Sequence, residues 1–256
     1  MKFVVKQFGN NFPDTKIIPA LGNHDSFPFD NFPDIHLSND TNENIYSKYI
    51  TQGALGDLIN HTVKNARDSF VNNCGFYVLK HRDMYQDEFN ITQTFIVLNT
   101  NLYYNNQEET KPDDPCDQLA LLESHLANVT EDENVFIVGH VPPGYFDLYP
   151  SDPFYNNENI TRKMMEIVTK DEYAKKIVAH FYGHTHISSF RLLFRSPDSD
   201  SPSGLAFIAP SVTPRVSTSS KSPLSLLKSN NGYKTYTLIL IVDTNCNMFC
   251  FYSDAF

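Results

Sequence analysis

The sequence has few basic residues. Lysine and arginine together number 20 against 30 aspartates and glutamates, so the formal net charge is −10 at pH 7. No basic surface of the kind that collects phosphates is expected, which argues against a nucleic-acid duplex as a partner. A small phosphorylated molecule is compatible with this charge because bound cations would reverse the local sign.

Long hydrophobic runs are also absent. No apolar run approaches the roughly 20 residues of a membrane-spanning helix, so we predict no transmembrane segment. The first seven residues lack the apolar core of a signal peptide. We find no internal repeat and no linker-like composition before about residue 196. With 41% hydrophobic residues, the 256 residues are predicted to form one domain spanning 1–256.

Cysteine is scarce and its pattern is uninformative. The four cysteines show no zinc-type pairing, and both a disulfide and four free thiols fit the sequence: Cys74, Cys116, Cys246 and Cys250. Five N-x-S/T sequons occur, at Asn39, Asn60, Asn90, Asn128 and Asn159. Several would arise by chance in so asparagine-rich a chain, so they give only weak support for a secreted glycoprotein.

The stretch Gly183-His184-Thr185-His186 is the first candidate for a functional site. It follows the apolar run 177–182, which is typical of a short buried strand. Two histidines two positions apart, beside a glycine at a strand end, suit a core poorly. They suit a metal site, where neutral imidazole nitrogens face a cation.

Two further stretches repeat this pattern. An apolar run over 17–21 leads into Gly22-Asn23-His24-Asp25, and another over 135–138 leads into Gly139-His140-Val141-Pro142-Pro143-Gly144. In open α/β sheets, sites form beyond the carboxyl ends of strands, so the three motifs can converge. Ordinary alternatives are a turn role for Asn23, a surface position for His24 and a capping role for His140.

The remaining pattern alternates strands with helices and predicts an α/β sandwich. Predicted helices cover 44–70, a segment beginning at Asp114-Pro115, and 160–170; predicted strands cover 75–79, 94–98, 191–194 and 205–209, with a closing hairpin over 235–242 and 248–252. In the first helix the expected buried positions are Ile45, Tyr49, Leu55, Ile59, Val63 and Ala66. In the second they are Leu119, Leu122, Leu126 and Val129.

Taken in order, GNHD, GHVPPG and GHTH resemble the later motifs of the calcineurin-like metallophosphoesterases, in particular the acid sphingomyelinase-like phosphodiesterases. Supporting matches are residues 12–16, 98–104, 114–119 and 209–214. The resemblance covers nearly the whole chain. It implies a β-sandwich flanked by helices and a two-metal centre, in which two cations clamp a phosphoryl group and activate water.

The resemblance also implies residue roles. Asn23, His140 and His184 would bind one Zn²⁺, and His186 would bind the other. His24 would stabilise charge on the phosphate or protonate the leaving oxygen. Asp25 would orient His24 or nearby backbone. Tyr145 is a candidate for the substrate groove, although packing is an equally good interpretation of this tyrosine.

The family carries a D-x-H motif and a G-D motif upstream of GNHD, and neither precedes Gly22 in this sequence. We therefore expect an N-terminally truncated domain. Its metal ligands are all neutral and cannot offset the repulsion of two divalent cations at ~4 Å, so we expect at most one metal and impaired activity. The alternative is a catalytically dead one-metal binding module. The stretches Asp34-Ile35-His36 and Gly56-Asp57…His61 imitate the upstream motifs, and we interpret them as coincidence.

By the same resemblance the substrate would be a small-molecule or lipid phosphodiester or pyrophosphate, of sphingomyelin or nucleotide type. The protein is expected to be a monomer. The family implies a secreted or lysosomal location, although no signal peptide is evident.

Overall fold

The computed structural model describes residues 10, 16–26, 29–36, 45–51, 66–80, 92–104, 112–146, 149–155, 157–209, 238–242 and 248–251. The strands are β1 Lys16–Ala20, β2 Tyr77–Lys80, β3 Thr92–Val97, β4 Glu133–Val138, β5 Tyr145–Phe146, β6 Tyr149–Pro153, β7 Ile177–Tyr182, β8 Ser189–Leu193, β9 Gly204–Ile208, β10 Leu238–Val242 and β11 Met248–Phe251. The α-helices are α1 Ile45–Thr51, α2 Ala66–Asn72, α3 Gln118–Ala127, α4 Glu158–Val168 and α5 Asp171–Ala174.

The described strands form two main sheets. The larger has six strands in the order β2-β3-β4-β7-β9-β8. Its central strands β3, β4, β7 and β9 run parallel, while β2 and β8 are antiparallel edges. The smaller sheet, β1-β10-β11, is antiparallel throughout. This mixed architecture with flanking helices confirms the predicted α/β sandwich.

One hydrophobic core joins the two sheets. Ile18 and Ala20 of β1 belong to the same buried cluster as Val97 of β3 and Val138 of β4. The hydroxyl of Tyr77, on β2, donates a hydrogen bond to the carbonyl oxygen of Pro19 on β1. The apolar strand ends are therefore shielded from water on the side where the sheets face each other. Among the described residues, no helix has the length and apolar character needed to cross a membrane.

The helix predicted to start at Asp114-Pro115 begins later, at Gln118. Pro115–Asp117 is a separate 3₁₀ turn, because Cys116 and Asp117 adopt left-handed backbone angles, with φ of 56° and 54°. Asp114 still caps the helix, since its Oδ1 accepts a hydrogen bond of 2.8 Å from the backbone N–H of Leu119. The predicted leucine stripe of α3 is buried, as expected.

The left-handed turn coincides with a disulfide. Cys74 and Cys116 are bonded, with their Cα atoms 6.2 Å apart and a sequence separation of 42. The bond ties the end of α2 to the start of α3, and a loop of this length is worth about 4 kcal/mol in the chain-entropy model. The structure thus decides between the open alternatives for these two cysteines. Cys250 lies on β11, and Cys246 lies outside the described residues.

The predicted helix over 44–70 is only partly described. Its ends appear as α1 and α2, whereas 52–65, with Leu55, Ile59 and Val63, lie outside the described residues. Ala66 is buried as predicted, but Ile45 and Tyr49 are only half-buried. The buried side chain of α1 is Tyr46, whose hydroxyl donates to the Pro33 carbonyl at 2.9 Å. The ring of Tyr46 can occupy the core because its hydroxyl group has a hydrogen-bond partner there.

Gly139 directly follows the last residue of β4. Its position has no space for a side chain. A Cβ atom there would lie 2.8 Å from Cγ2 of Thr100 and 3.0 Å from Cε1 of Tyr182. Such distances are shorter than carbon–carbon contact, so the turn after β3 that carries Thr100 and the ring of Tyr182 on β7 would have to move.

We predict that Gly139→Ala lowers the free energy of unfolding by about 1–3 kcal/mol through overpacking. Gly204→Ala is the matched control, because its Cβ would meet Leu193 atoms at 3.5 Å or more. Urea denaturation of both variants measures the difference. Equal midpoints for Gly139→Ala and wild type would contradict the tight packing at this strand end.

Candidate metal centre

The site lies at the edge where parallel strands β4 and β7 end and where β1 leaves the second sheet. Nε2 of His140 lies 2.7 Å from Oδ1 of Asn23, and Nδ1 of His184 lies 3.3 Å from the same oxygen. The rings of His140 and His184 are 5.2 Å apart and nearly perpendicular. The three motifs predicted from the sequence therefore meet, and the imidazoles of two of them converge on the amide oxygen of the third.

The amide of Asn23 is oriented by a residue that sequence reasoning missed. Nδ2 of Asn23 donates a 2.7 Å hydrogen bond to Oδ1 of Asp30, and the backbone N–H of Asp30 donates to the Asn23 carbonyl. With its nitrogen engaged, the amide presents its oxygen to the two imidazoles. Asp30 has a left-handed φ of 64°, and nothing in the surrounding Pro/Asp/Asn-rich sequence distinguishes it.

His140 is completely buried. Burial lowers its pKa well below the usual histidine value, and the nearby charges of His184, His186 and His24 lower it further. Its backbone N–H and that of Val141 both donate to Oγ1 of Thr100, at 3.0 and 2.8 Å. The hydrogen bonds to Thr100 fix the backbone at His140. The lowered pKa keeps its imidazole neutral, and the neutral form is the one that binds a metal.

The GHTH loop has an unusual backbone. His184 and His186 adopt positive φ angles of 70° and 62°, a region that non-glycine residues seldom occupy. Such conformations persist when the surrounding structure enforces them, and they cluster at functional sites. Here the ring of His184 packs edge-on against Tyr104 and Phe154, with centroids 4.7 and 5.4 Å away.

Two further predicted site residues, His24 and Asp25, lie on the same 3₁₀ turn as Asn23. His24 is half-buried and its ring packs against Phe29 at 5.2 Å, and both His24 and His186 are near enough to His140 to contribute to its lowered pKa. Asp25 accepts a 2.8 Å hydrogen bond from the Gly22 backbone N–H, which stabilises the 3₁₀ turn Asn23–Asp25. Asp25 thus supports the backbone, one of the two roles expected for it.

The separations of the Asn23 oxygen from the two imidazole nitrogens can be compared with those around a divalent cation. Ligands about 2.1 Å from a tetrahedral Zn²⁺ lie roughly 3.4 Å from each other. The Asn23–His184 separation of 3.3 Å is near this value, and the Asn23–His140 separation of 2.7 Å is shorter, at hydrogen-bond length. A small opening of the Asn23–His140 pair would be enough to accommodate the ion.

The imitation motif Asp34-Ile35-His36 is occupied elsewhere. Asp34 is buried and accepts hydrogen bonds from the backbone N–H groups of Cys116 and His36. The ring of His36 lies at the surface, beside the Asn72 carbonyl and the Asp117 carboxylate. These contacts support the interpretation of coincidence. Asp57 and His61 lie outside the described residues.

One cluster of metal-type side chains lies away from the histidines. Asp34, Cys74 and Cys116 have ligand atoms within 4.8 Å of one another. The two sulfurs are joined in the disulfide, so neither is a thiolate, and thiolate is the form of cysteine that binds metal. This cluster is structural.

Asn99 and Asn101 form a buried hydrogen-bond network that supports the backbone near the site. Sequence reasoning assigned this network no role. Nδ2 of Asn101 donates to the Leu21 carbonyl at 2.6 Å and to Oδ1 of Asn99 at 2.8 Å. Asn99 in turn donates through Nδ2 to the Cys74 carbonyl and exchanges hydrogen bonds with the buried side chain of Gln118. A detectable signal existed, because Asn99-Thr100-Asn101 follows β3 as the histidine motifs follow β4 and β7.

His180 illustrates a histidine that belongs to the core. It is buried on β7, its ring stacks on Tyr182, and burial lowers its pKa to about 3. At this pKa the imidazole is neutral, and its contacts are those of a core residue.

An open groove of about 530 Å³ lies beside the loop that follows His140. The loop residues Pro143, Gly144 and Tyr145 form one wall, and largely apolar residues of α4 and β8 form the rest, including Met165, Leu192 and Phe194. Tyr145 is 43% exposed, and its hydroxyl lies 3.4 Å from Glu158. Its side chain is thus accessible rather than packed in the core.

Comparison with known proteins assigns the chain to a family. The model of the calcineurin-like phosphoesterase family matches residues 1–188, a span that includes all three motif loops. The chain belongs to this family, whose members depend on metal ions.

The curated relatives are phosphodiesterases. Human acid sphingomyelinase-like phosphodiesterase 3b is 33% identical over 205 residues, which are 79% of this chain and 40% of that protein. Human cyclic GMP-AMP phosphodiesterase SMPDL3A is 33% identical over 231 residues, 88% of this chain and 44% of that protein. Sphingomyelinase phosphodiesterase C of Dictyostelium discoideum is 30% identical over 234 residues, 88% and 46% respectively.

The chain therefore spans less than half the length of these relatives. Among solved structures, PhoD superimposes with a TM-score of 0.35 at 16% identity, covering 53% of this chain and 28% of that one. A superposition this loose carries no argument about fold or function.

We predict that Asp30→Ala weakens zinc binding about 10–100-fold, because Asn23 loses the partner that turns its oxygen toward the histidines. Asp30→Asn retains an acceptor oxygen and should lose less. Zinc dissociation constants from chelator competition measure both effects.

The matched control is Asp113→Ala, because Asp113 also accepts an asparagine Nδ2 hydrogen bond, from Asn157 at 2.9 Å, but on an exposed surface. Its zinc affinity should equal that of wild type. Unchanged affinity in Asp30→Ala would show that Asn23 needs no such support.

Proposed function

We propose that this chain is a metal-dependent phosphodiesterase domain over residues 1–256, in which Asn23, His140, His184 and His186 are the zinc ligands. The observation that carries the proposal is the convergence of two imidazole nitrogens from different strands on the amide oxygen of Asn23. Three loops far apart in the sequence bring an amide oxygen and two imidazole nitrogens together. Such a convergence of neutral metal-binding groups is typical of a ligand site.

When bound, a divalent cation would polarise the phosphoryl oxygens and activate water for hydrolysis. The protein residues supply the rest. His24 follows Asn23 directly on the 3₁₀ turn and would donate a hydrogen bond to the phosphate or protonate the leaving oxygen. Asp25 fixes this turn through Gly22. The bond broken is the phosphorus–oxygen ester bond, and water supplies the hydroxyl and the proton.

We further propose that Asn23, His140 and His184, together with water, bind one cation. The second cation, which His186 would bind in the family, would not be held by these residues alone, so the activity of the chain alone would be impaired. An amide and three imidazoles carry no negative charge, and two divalent cations at ~4 Å would repel each other without a carboxylate between them. The same neutrality favours a second candidate function, a one-metal binding module that captures a phosphorylated ligand without turning it over.

The substrate class proposed is a small-molecule or lipid phosphodiester. It is supported by the names of the relatives, which include phosphodiesterases of sphingomyelin and of cyclic GMP-AMP. The apolar groove beside the His140 loop would receive the organic part of such a substrate, with Tyr145 at its wall. We propose that the protein is a monomer, secreted or lysosomal, and glycosylated.

The decisive experiment is a calorimetric titration of the purified chain with zinc. We expect one tight site in wild type and loss of at least 100-fold in affinity in His140→Ala and His184→Ala, each of which removes a direct ligand. His125→Ala controls for adventitious binding, because His125 is exposed on α3 and packs against Phe76. Two tight sites would contradict the one-metal proposal, and none would remove the metal centre.

Turnover separates the two candidate functions. Hydrolysis of bis-p-nitrophenyl phosphate by the chain alone is expected to be weak or absent. Appreciable turnover that is abolished by a chelator and by His24→Ala would establish an intact enzyme and refute the proposed impairment. Zinc-dependent binding of a phosphodiester without turnover would favour the binding module.

Glycosylation gives a separate prediction. Asn128 and Asn159 of the sequons are exposed, at the end of α3 and in the first turn of α4, while Asn39, Asn60 and Asn90 lie outside the described residues. After expression through a eukaryotic secretory route, we expect a glycosidase-sensitive mass, reduced by one glycan in Asn159→Gln. An unmodified chain would contradict the secreted glycoprotein.

A further inference from the structure

Arg191 on the edge strand β8 holds the loop that follows His140. One of its terminal nitrogens, Nη1, donates to the Pro143 carbonyl at 2.6 Å, and Nη2 donates to the Tyr145 carbonyl at 2.7 Å. The carbonyl between them, that of Gly144, accepts the backbone N–H of Phe154 at 2.9 Å. All three carbonyls of this turn therefore have partners, and two of the three come from one guanidinium group.

The turn is shaped around this side chain. Gly144 has a φ of 100°, which only glycine adopts without strain, and a Cβ atom there would lie 3.4 Å from Nη1 of Arg191. The loop thus approaches the guanidinium closely at a position that has no side chain.

Arg191 also contacts the His184 loop indirectly, through the aromatic ring of Phe154. Its guanidinium carbon lies 5.3 Å from the centroid of Phe154, within the range of a cation–π contact. The Phe154 ring is 5.4 Å from the ring of His184 and is nearly perpendicular to it. Phe154 is buried, so its position is set by its neighbours on both sides.

From these contacts we infer that Arg191 is a positioning residue of the metal centre: it fixes the His140 loop through two carbonyls and the His184 ring through Phe154. The inference rests on the proposed metal site. Arg191 is not itself a ligand, because a guanidinium has no acceptor atom to offer a cation. Its effect is to couple two loops that come from neighbouring strands, β4 and β7, and whose histidines must keep one separation.

Arginine suits this role and lysine does not. The planar guanidinium donates along two directions at once and stacks on an aromatic face, whereas an ammonium is a compact point charge. Arg191→Lys should keep one carbonyl bond and part of the contact with Phe154, and Arg191→Met should keep neither hydrogen bond.

The test is zinc affinity together with the visible absorption of the Co²⁺-substituted protein, which reports coordination geometry. We expect Arg191→Met to bind zinc 10–100-fold more weakly than wild type and to show an altered Co²⁺ spectrum. The zinc affinity of Arg191→Lys should lie between those of Arg191→Met and wild type. Arg195→Met is the matched control. Arg195 follows the same strand but pairs with Asp171 at 2.7 Å, and its variant should match wild type in both measurements.

The outcomes separate this inference from the proposed function. Absence of zinc binding in wild type would overturn the metal site and this inference with it. Tight binding in wild type and an equal affinity and spectrum in Arg191→Met would overturn the inference alone. If Arg191→Met does not fold, Phe154→Leu tests the same contact from its other end, and wild-type affinity and spectrum in that variant would overturn the coupling to His184.

Discussion

The amide oxygen of Asn23 is the point on which the site depends. It comes from the end of β1 in the small sheet, whereas His140 and His184 come from β4 and β7 in the large one. A contact across the sandwich requires both sheets to be packed in register, because a shift of an ångström would separate the donors. The shared core of Ile18, Val97 and Val138 supplies that register. The tight contacts at Gly139 leave the strands no room to slide.

Polar groups around this oxygen are buried, and burial is costly unless each group has a partner. The structure meets much of this cost with asparagine, glutamine and threonine side chains, while the Asp30 carboxylate holds the amide of Asn23. Thr100 satisfies the backbone after β4, Asn101 satisfies the end of β1, and Gln118 satisfies the end of β3. The Cys74–Cys116 disulfide holds the chain segments that carry these partners. These hydrogen bonds form without a bound ligand, and such preformed contacts reduce the cost of ordering donors around a cation.

The electrostatics of the site centre on His140, a deeply buried imidazole whose pKa is lowered mainly by desolvation. The net charge of −10 gives the chain no general attraction for phosphates. The family to which the chain belongs depends on metal ions, and a bound cation would reverse the local sign. The groove at Tyr145 and the guanidinium of Arg191 belong to the same loop region.

The sequence by itself determined the strands of the two main sheets, the leucine stripe of α3 and the positions of the three motif loops, because apolar periodicity and strand-end glycines are local signals. It also identified Asn23, His140 and His184 as residues that would meet. It did not reveal the short hairpin of β5 and β6. Only the tertiary structure decided which cysteines pair, that the helix after Asp114 starts at Gln118, and that Tyr46 rather than its neighbours enters the core. The roles of Asn101 and Arg191 likewise depend on contacts between residues distant in sequence, and the role of Asp30 depends on a turn that brings it back to Asn23. Such contacts arise as strands and turns pack together, and no local pattern in the chain encodes them.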